Sequence, residues 1–179
     1  MESPAVSTPS VIAPASSRGE VTVVVLAPRW RLGRRAAARR SVEAAFDHWK
    51  RRVGRVFVAA QPAVAAALRA GTGDSLVIVP DSETALSSVA CLIDACPGEP
   101  LLILEPETEL PDAALDRMLA ALEDEQAAAV AVVHPEKRLL PFPLLVKRAV
   151  HPLLEALLAA GASDVADLMR RPAARLVLL

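Results

Sequence analysis

The sequence predicts a doubly wound α/β domain, in which helices cover both faces of a mostly parallel β-sheet. Short runs of β-branched residues alternate along the chain with longer segments rich in alanine and leucine. These short runs are continuously apolar, which is typical of strands buried on both faces of a parallel sheet. The chain has 179 residues, of which 53% are hydrophobic. That is enough to build one such core, so we expect a single domain.

The two ends of the chain differ in composition. Residues 1–20 are rich in Ser, Pro and Ala and are predicted to form a disordered tail, and the domain is predicted to occupy 21–179. The N-terminus lacks the basic start and apolar segment of a secretory signal, and no apolar run is long enough to cross a bilayer. We therefore expect a cytoplasmic protein without a membrane partner. Cys91 and Cys96 are close together in one predicted helix, which favours reduced, buried thiols.

The order of elements follows from where the hydrophobic pattern changes. Five apolar runs are the strand candidates, at 21–27, 53–59, 75–79, 100–104 and 128–133. The segments between them predict helices at 36–52, 62–70, 84–95 and 111–125. Two prolines interrupt the next apolar segment, which we therefore expect to be an edge strand or a rim loop, because proline cannot donate to a sheet ladder. That segment is 139–146, and it is followed by predicted helices at 147–160 and 164–170 and a strand at 174–178.

The candidate site lies where this architecture places ligands. Parallel α/β sheets bind ligands outside the carboxyl ends of their strands, so the loops at 28–35, after Val79 and after Leu104 are expected on one rim. In the first loop, Pro28 and Arg29 stand where nucleotide-binding loops have glycines. Backbone contact with a phosphate is therefore expected to be poor. Guanidinium groups pair with phosphate in a bidentate manner, which makes Arg29, Arg31, Arg34 and Arg35 candidate anion ligands.

Charge is distributed unevenly along the chain. The segment 29–55 contains ten basic and two acidic residues, a net charge of +8, and the rest of the chain carries −9. Such an asymmetry focuses a field on anions. A solvated basic loop and helix end would give the same pattern, so both interpretations stay open. His48, His134 and His151 have no metal-ligand spacing.

Three local motifs resemble those of the molybdenum cofactor guanylyltransferase family, over residues 21 to about 171. Leu26 and Ala27 match the start of the family's Leu-Ala-Gly-Gly loop. The sequence Arg31-Leu32-Gly33 is similar to its Arg-Met-Gly, whereas the lysine that follows has no clear counterpart. Asp81 stands where the family has an acidic residue before a glycine-containing helix start. Glu107 occupies the position of an aspartate that holds Mg²⁺ in the family's Leu-Pro-Cys-Asp-x-Pro motif.

This resemblance implies a nucleotidyltransferase fold with a glycosyltransferase-like Rossmann sheet, and Mg²⁺ bound together with a nucleoside triphosphate. It implies that Glu107 is a metal ligand, although glutamate is one methylene longer than the family's aspartate. A solvated acid is the alternative for Glu107, and a loop or helix-capping residue is the alternative for Asp81. The remaining nucleotide- or phosphate-binding candidates are Leu26, Ala27, Arg29, Arg31, Gly33, Arg34, Arg35 and Asp81.

Three functional hypotheses remain open. The first is a nucleotidyltransferase-like protein with lost or reduced catalysis that serves as a binding or scaffold subunit in cofactor biosynthesis or enzyme assembly. The second is an active Mg²⁺-dependent transferase that joins GTP or CTP to a phosphorylated cofactor such as molybdopterin. The third is an anion- or nucleic-acid-binding module, although nucleic acid is not expected because only 3% of the residues are aromatic. A protein partner or a homo-oligomer is compatible with all three.

Overall fold

A computed structural model describes residues 18–27, 35–80, 84–133 and 139–178. Within these residues the chain forms seven strands and six α-helices, with short 3₁₀ turns before the third strand and the fifth helix. In chain order they are β1 (Thr22–Leu26), α1 (Arg35–Lys50), β2 (Arg55–Ala60), α2 (Pro62–Thr72), β3 (Leu76–Ile78), α3 (Ala85–Ala95), β4 (Leu101–Leu104), α4 (Asp112–Leu122), β5 (Ala129–Val133), β6 (Leu139–Val146), α5 (His151–Ala159), α6 (Val165–Met169) and β7 (Ala174–Leu178). The predicted strands and helices are therefore present, with ends displaced by a few residues.

The strands form one sheet in the order β3-β2-β1-β4-β6-β5-β7. All neighbouring pairs are parallel except those that β6 makes with β4 and β5. The predicted doubly wound, mostly parallel sheet is thus confirmed. The order runs outward from β1 to β3 and then resumes on the other side of β1 at β4. This reversal creates a topological switch point between β1 and β4.

The prediction that 139–146 lies at an edge or in a rim loop was wrong. β6 is an interior strand, paired on one side with β4 and on the other with β5. Its double pairing is concentrated at 144–146, after both prolines, and the β5–β6 register shifts between Ala131 and Val133. The ladder therefore does not need a donor from Pro141 or Pro143 where strands lie on both sides. Proline therefore excludes one ladder hydrogen bond at its own position, and it does not exclude the rest of the strand from the interior of the sheet.

Two hydrophobic layers cover the two faces of the sheet. One layer combines α1, α2 and α4 with side chains such as Val23 and Val25, and the other combines α3, α5 and α6 with Val24. Successive residues of β1 thus point to opposite layers, as the pleat of a strand requires. Trp49, only 2% exposed, is the largest side chain of the first layer. Burial on both faces explains why the strands of this sheet are continuously apolar.

Polar contacts cap both ends of α3. Thr84 and Ser87 form a reciprocal capping box at the start of α3. At the other end of α3, the Arg148 guanidinium donates to the backbone carbonyls of Ile93 and Cys96.

The first turns of α4 are attached to the residues before β1 by ion pairs. Arg18 pairs with two aspartates of α4: its Nη1 is 2.9 Å from Asp112, and its Nη2 is 2.5 Å from Asp116.

The two cysteines are free: Cys96 is buried and Cys91 is partly buried. Burial raises the pKa of the Cys96 thiol to about 11. Among the described residues, no helix is long and apolar enough to span a membrane.

Candidate functional site

A pocket of about 600 Å³ opens at the carboxyl ends of β1 to β4, beside the switch point. Its wall combines the ends of these strands with one face of α1 and the first two turns of α3. The described lining residues are Leu26, Ala27, Ala38, Ser41, Ala59, Gln61, Val79, Pro80, Thr84, Ala85, Ser88, Leu92, Glu105, Pro106 and Glu107. The volume lies within the range of sites that hold small molecules and cofactors. The fold therefore forms a ligand-sized pocket at the edge where such sheets bind ligands.

The structure brings together the described parts of two predicted motifs. Leu26 and Ala27, from the end of β1, and Glu107, from the segment after β4, line this same pocket. They are about eighty positions apart in sequence, and the parallel pairing of β1 with β4 brings them together. The other candidates, Arg29, Arg31, Gly33, Arg34, the side chain of Arg35, and Asp81, lie outside the described residues.

Glu107 sits on a tight turn. The backbone N–H of Thr108 donates to the carbonyl of Glu105 at 3.0 Å, and the Glu105 N–H donates to the Thr108 hydroxyl at 3.2 Å. Proline at the second position of this turn suits the fixed φ of that position. Both Glu105 and Glu107 are exposed on the turn and line the pocket. The turn therefore presents two carboxylates at the pocket wall.

The described wall of the pocket carries negative charge. Glu105 and Glu107 are its acidic residues, and none of the lining residues named above is lysine or arginine. Polar hydroxyls come from Ser41, Thr84 and Ser88. Binding of a polyphosphate here would therefore depend on a metal ion or on cations supplied from elsewhere, because two carboxylates repel it.

The donor chemistry of this wall fits a Mg²⁺ ion that is shared with a nucleotide. Magnesium takes oxygen ligands and is commonly held by one or two carboxylates, with phosphate oxygens and water completing its octahedron. Glu105 and Glu107 would supply the carboxylates. In the described part of the chain, no group of three or more His, Cys, Asp or Glu residues could hold a metal ion. A metal at this turn would thus need further oxygens from the ligand or from water.

Ion pairs partly neutralise the basic segment 29–55. Arg39 pairs with Glu43 of the same helix at 2.7 Å, and Arg52 pairs with Asp112 at the start of α4. The Nη1 of Arg52 is also 3.0 Å from His48 Nε2. The segment therefore offers fewer unpaired cations to an external anion than its composition indicates.

A second, smaller pocket of about 470 Å³ adjoins the first at the start of α3. Thr84 and Ala85 line both pockets, and the lining of the smaller one also includes Leu139, Pro141 and Asp164. The start of β6, incorrectly assigned to an edge or a rim loop, thus borders the neighbouring cleft. This arrangement gives a ligand in the first pocket room to extend toward β6.

Sequence reasoning missed part of the pocket wall. Ala38 and Ser41 of α1 and Gln61 after β2 line the pocket and were not among the candidates. For α1 the sequence did hold a signal: positions 38 and 41 are three apart, so they share one face of the helix that follows the first loop. For Gln61 the signal was its place two residues after the predicted strand at 53–59.

The chain has the fold of the nucleotidyltransferases. Rv0371c from Mycobacterium tuberculosis H37Rv matches with a TM-score of 0.61 and 21% identity over 89% of this chain and 88% of that one. It has also been crystallised with manganese. The 4-diphosphocytidyl-2C-methyl-D-erythritol synthase from Anaerococcus prevotii DSM 20548 matches with a TM-score of 0.62 and 13% identity over 90% of each chain.

A third structure, CMP:2-keto-3-deoxy-manno-octonic acid synthetase complexed with CTP, matches with a TM-score of 0.57 and 12% identity over 89% of this chain and 90% of that one. At these identities the likeness concerns the fold. No protein-family model and no curated protein matches the sequence.

Proposed function

We propose that the pocket at the carboxyl edge binds a nucleotide together with Mg²⁺, and that the protein is a nucleotidyltransferase-like binding subunit with lost or reduced catalysis. The observation that carries the proposal is the shared pocket of Leu26, Ala27 and Glu107. Two of the motifs on which the family resemblance depends thus meet at one ligand-sized site. This site lies at the switch point between β1 and β4, in a sheet with the nucleotidyltransferase fold.

The chemistry of the site supports reduced catalysis. Nucleotidyl transfer requires several phosphate charges to be neutralised at once by preorganised groups. The described wall offers two glutamates and no cationic side chain. In the sequence, Pro28 and Arg29 stand where the family has two glycines, and its lysine has no clear counterpart. A nucleotide can still bind to such a pocket. The family's two glycines and its lysine, however, are not there to align the phosphates for fast nucleotidyl transfer.

The resemblance to molybdenum cofactor guanylyltransferase suggests where such a subunit acts. We place it in cofactor biosynthesis or enzyme assembly, with a molybdopterin-like phosphorylated cofactor as the second ligand. The smaller pocket beside α3 and β6 is the region where that ligand would extend. A protein partner or a second copy of the chain would receive or present it.

An active Mg²⁺-dependent transferase is the second candidate. It is favoured by one observation: Glu107, in the position of the family's metal aspartate, lines the pocket and keeps a carboxylate there. In that case the arginines of the 28–35 loop would replace the missing lysine and backbone donors.

One assay separates these functions. The protein is incubated with GTP or CTP, Mg²⁺ and molybdopterin, and pyrophosphate release is measured alongside calorimetric binding of each nucleotide. Binding without pyrophosphate release supports the proposed subunit, and sustained turnover establishes the transferase instead. Absence of binding by both nucleotides overturns the proposed site.

A matched pair of variants on α1 tests the location. Ala38 lines the pocket, whereas its neighbour Ala37 is exposed and is not among the lining residues. Ala38→Phe should fill part of the pocket and weaken nucleotide binding by about tenfold or more. Ala37→Phe should bind as the wild type does. Equal binding by both variants would place the nucleotide elsewhere.

A further inference from the structure

Arg52 connects the end of α1 to the segment that leads from β4 into α4. Its guanidinium donates to the backbone carbonyl of Leu110 at 3.3 Å and also contacts the carboxylate of Asp112. The guanidinium carbon lies 4.3 Å from the centre of the Trp49 ring, and Nη1 is 3.0 Å from His48 Nε2. The side chain is only 22% exposed. Arg52 is therefore held by ring stacking on one side and by hydrogen bonds on the other.

The segment that Arg52 contacts is the one that carries Glu107. At its start, the turn at 105–108 is closed by two hydrogen bonds between Glu105 and Thr108. At its end, Leu110 is 4% exposed and its carbonyl accepts from Arg52. Glu107 thus lies between two fixed points, and Arg52 contributes a hydrogen bond to the second of them.

We propose that Arg52 is a positioning residue for the Mg²⁺-dependent binding of a nucleotide: it fixes the 105–111 segment so that the Glu107 carboxylate would be available as a metal ligand at the pocket wall. The inference depends on the proposed function, because it assigns Arg52 a role at that same site. Partners that orient a metal-binding side chain typically change metal affinity by about 10- to 100-fold when they are removed.

The start of α4 has a second cationic contact that does not involve Arg52, so we expect α4 to stay in place when Arg52 is replaced. Asp112 is also contacted by Arg18, whose Nη1 lies 2.9 Å away, and Arg18 additionally pairs with Asp116. The start of α4 therefore retains a cationic partner when Arg52 is replaced. The Leu110 carbonyl, at the end of the segment that carries Glu107, loses the donor that Arg52 supplies, and His48 loses its contact with Arg52 as well.

The geometry also distinguishes arginine from lysine at this position. The planar guanidinium contacts a carbonyl, a carboxylate and the face of Trp49 together. An ammonium group keeps the charge but presents no such fork and no flat surface for stacking. Arg52→Lys is therefore expected to behave like Arg52→Gln rather than like the wild type.

The test is calorimetric titration of GTP and CTP, in Mg²⁺ and in EDTA, with the wild type, Arg52→Gln and Arg52→Lys. Arg117→Gln is the control, because Arg117 is exposed on α4 and the charge change is the same. In both Arg52 variants the affinity gained from Mg²⁺ should fall by about tenfold or more, while affinity in EDTA stays at the wild-type value. Arg117→Gln should keep the full gain from Mg²⁺.

Hydrogen exchange of the ligand-free protein provides a second measurement. Amides at 105–110 should exchange faster in Arg52→Gln than in the wild type, and amides of the central strands should not change. Unchanged exchange at 105–110 would overturn the proposal that Arg52 acts by fixing this segment.

The binding results separate the inference from the proposed function. If the wild type binds a nucleotide in a Mg²⁺-dependent manner and Arg52→Gln shows the same dependence, the role of Arg52 is overturned and the proposed function stands. Equal weakening in Mg²⁺ and in EDTA would also overturn it, because that result assigns Arg52 a merely structural role. If the wild type binds neither nucleotide, both are overturned.

Discussion

Gly98 lies directly against the hydroxyl of Thr22, at the edge of the sheet opposite the pocket. Gly98 has a φ of +96°, and a Cβ at this position would overlap Thr22 Oγ1 and the Arg55 guanidinium. Thr22 is fully buried, and its hydroxyl has no hydrogen-bond partner among the described residues. The chain can therefore pass over the start of β1 only because position 98 has no side chain.

Gly98→Ala should destabilise the protein for two reasons. The backbone conformation is strained for any residue with a Cβ, and the new methyl group would meet Thr22. We expect the free energy of unfolding, measured by urea denaturation, to fall by about 2–3 kcal/mol. Gly161→Ala is the matched control, because Gly161 has a φ of +81° with nothing within 4 Å of an added Cβ. Its loss should be about 1 kcal/mol, and equal losses in the two variants would show that the contact with Thr22 does not matter.

Thr22→Val should leave the protein as stable as the wild type or make it more stable. A buried hydroxyl without a partner has lost its hydration and gained nothing in return, a cost of about 1–3 kcal/mol. Valine has nearly the same shape and suits a strand. The free energy of unfolding from urea titration checks this, and a clear decrease would mean that the hydroxyl has a partner in solution.

Acid should weaken the attachment of Arg18 to α4. Hydrogen bonds from Arg18 lower the pKa of Asp116 below its ordinary value of 3.8, and hydrogen bonds from Arg52 and Arg18 lower the pKa of Asp112. Because the folded-state pKa values are depressed, this stabilisation is present above the unfolded-state pKa and is lost as pH falls through the folded-state pKa. Unfolding midpoints in urea should therefore decrease as pH is lowered below about 4.

Arg18→Gln isolates this contribution. Without the guanidinium, Asp116 loses the hydrogen bonds that lower its pKa, and the urea midpoint should depend less steeply on pH in the acidic range. Arg117→Gln, on the same helix as Asp116, should keep the wild-type slope. A variant at Arg18 that retains the full slope would show that these pairs do not form in solution.

Cys96 should react with alkylating reagents only when the protein unfolds. Its thiol is fully buried, and burial raises its pKa to about 11, so very little thiolate exists at neutral pH. Mass spectrometry after iodoacetamide treatment should find Cys96 unmodified in the native protein and modified in urea. Partly buried Cys91 is the internal comparison. Modification of Cys96 at the same rate with and without urea would contradict its placement in the core.

The local pattern predicted the elements well because each one depends on a few neighbouring residues. The run at Thr22–Leu26 is β-branched and apolar, and the last strand begins and ends as predicted, at Ala174–Leu178. The position of β6 could not be predicted in this way. Whether proline is tolerated in a strand depends on which residues have ladder partners on both sides, and that is settled by the register with β4 and β5.

The candidate site was also predicted only in part from the sequence. From the sequence alone came the fold class, the identity of the strands whose carboxyl ends form the site, and the residues Leu26, Ala27 and Glu107 at its wall. The fold class and the strands follow from hydrophobic periodicity, and the three residues follow from the resemblance of short motifs to those of a known family. The tertiary structure alone decided that Ala38 and Gln61 complete the wall and that Arg52 holds the segment of Glu107. Such contacts join residues far apart in sequence, and only the packing of helices on the sheet brings them within hydrogen-bond distance.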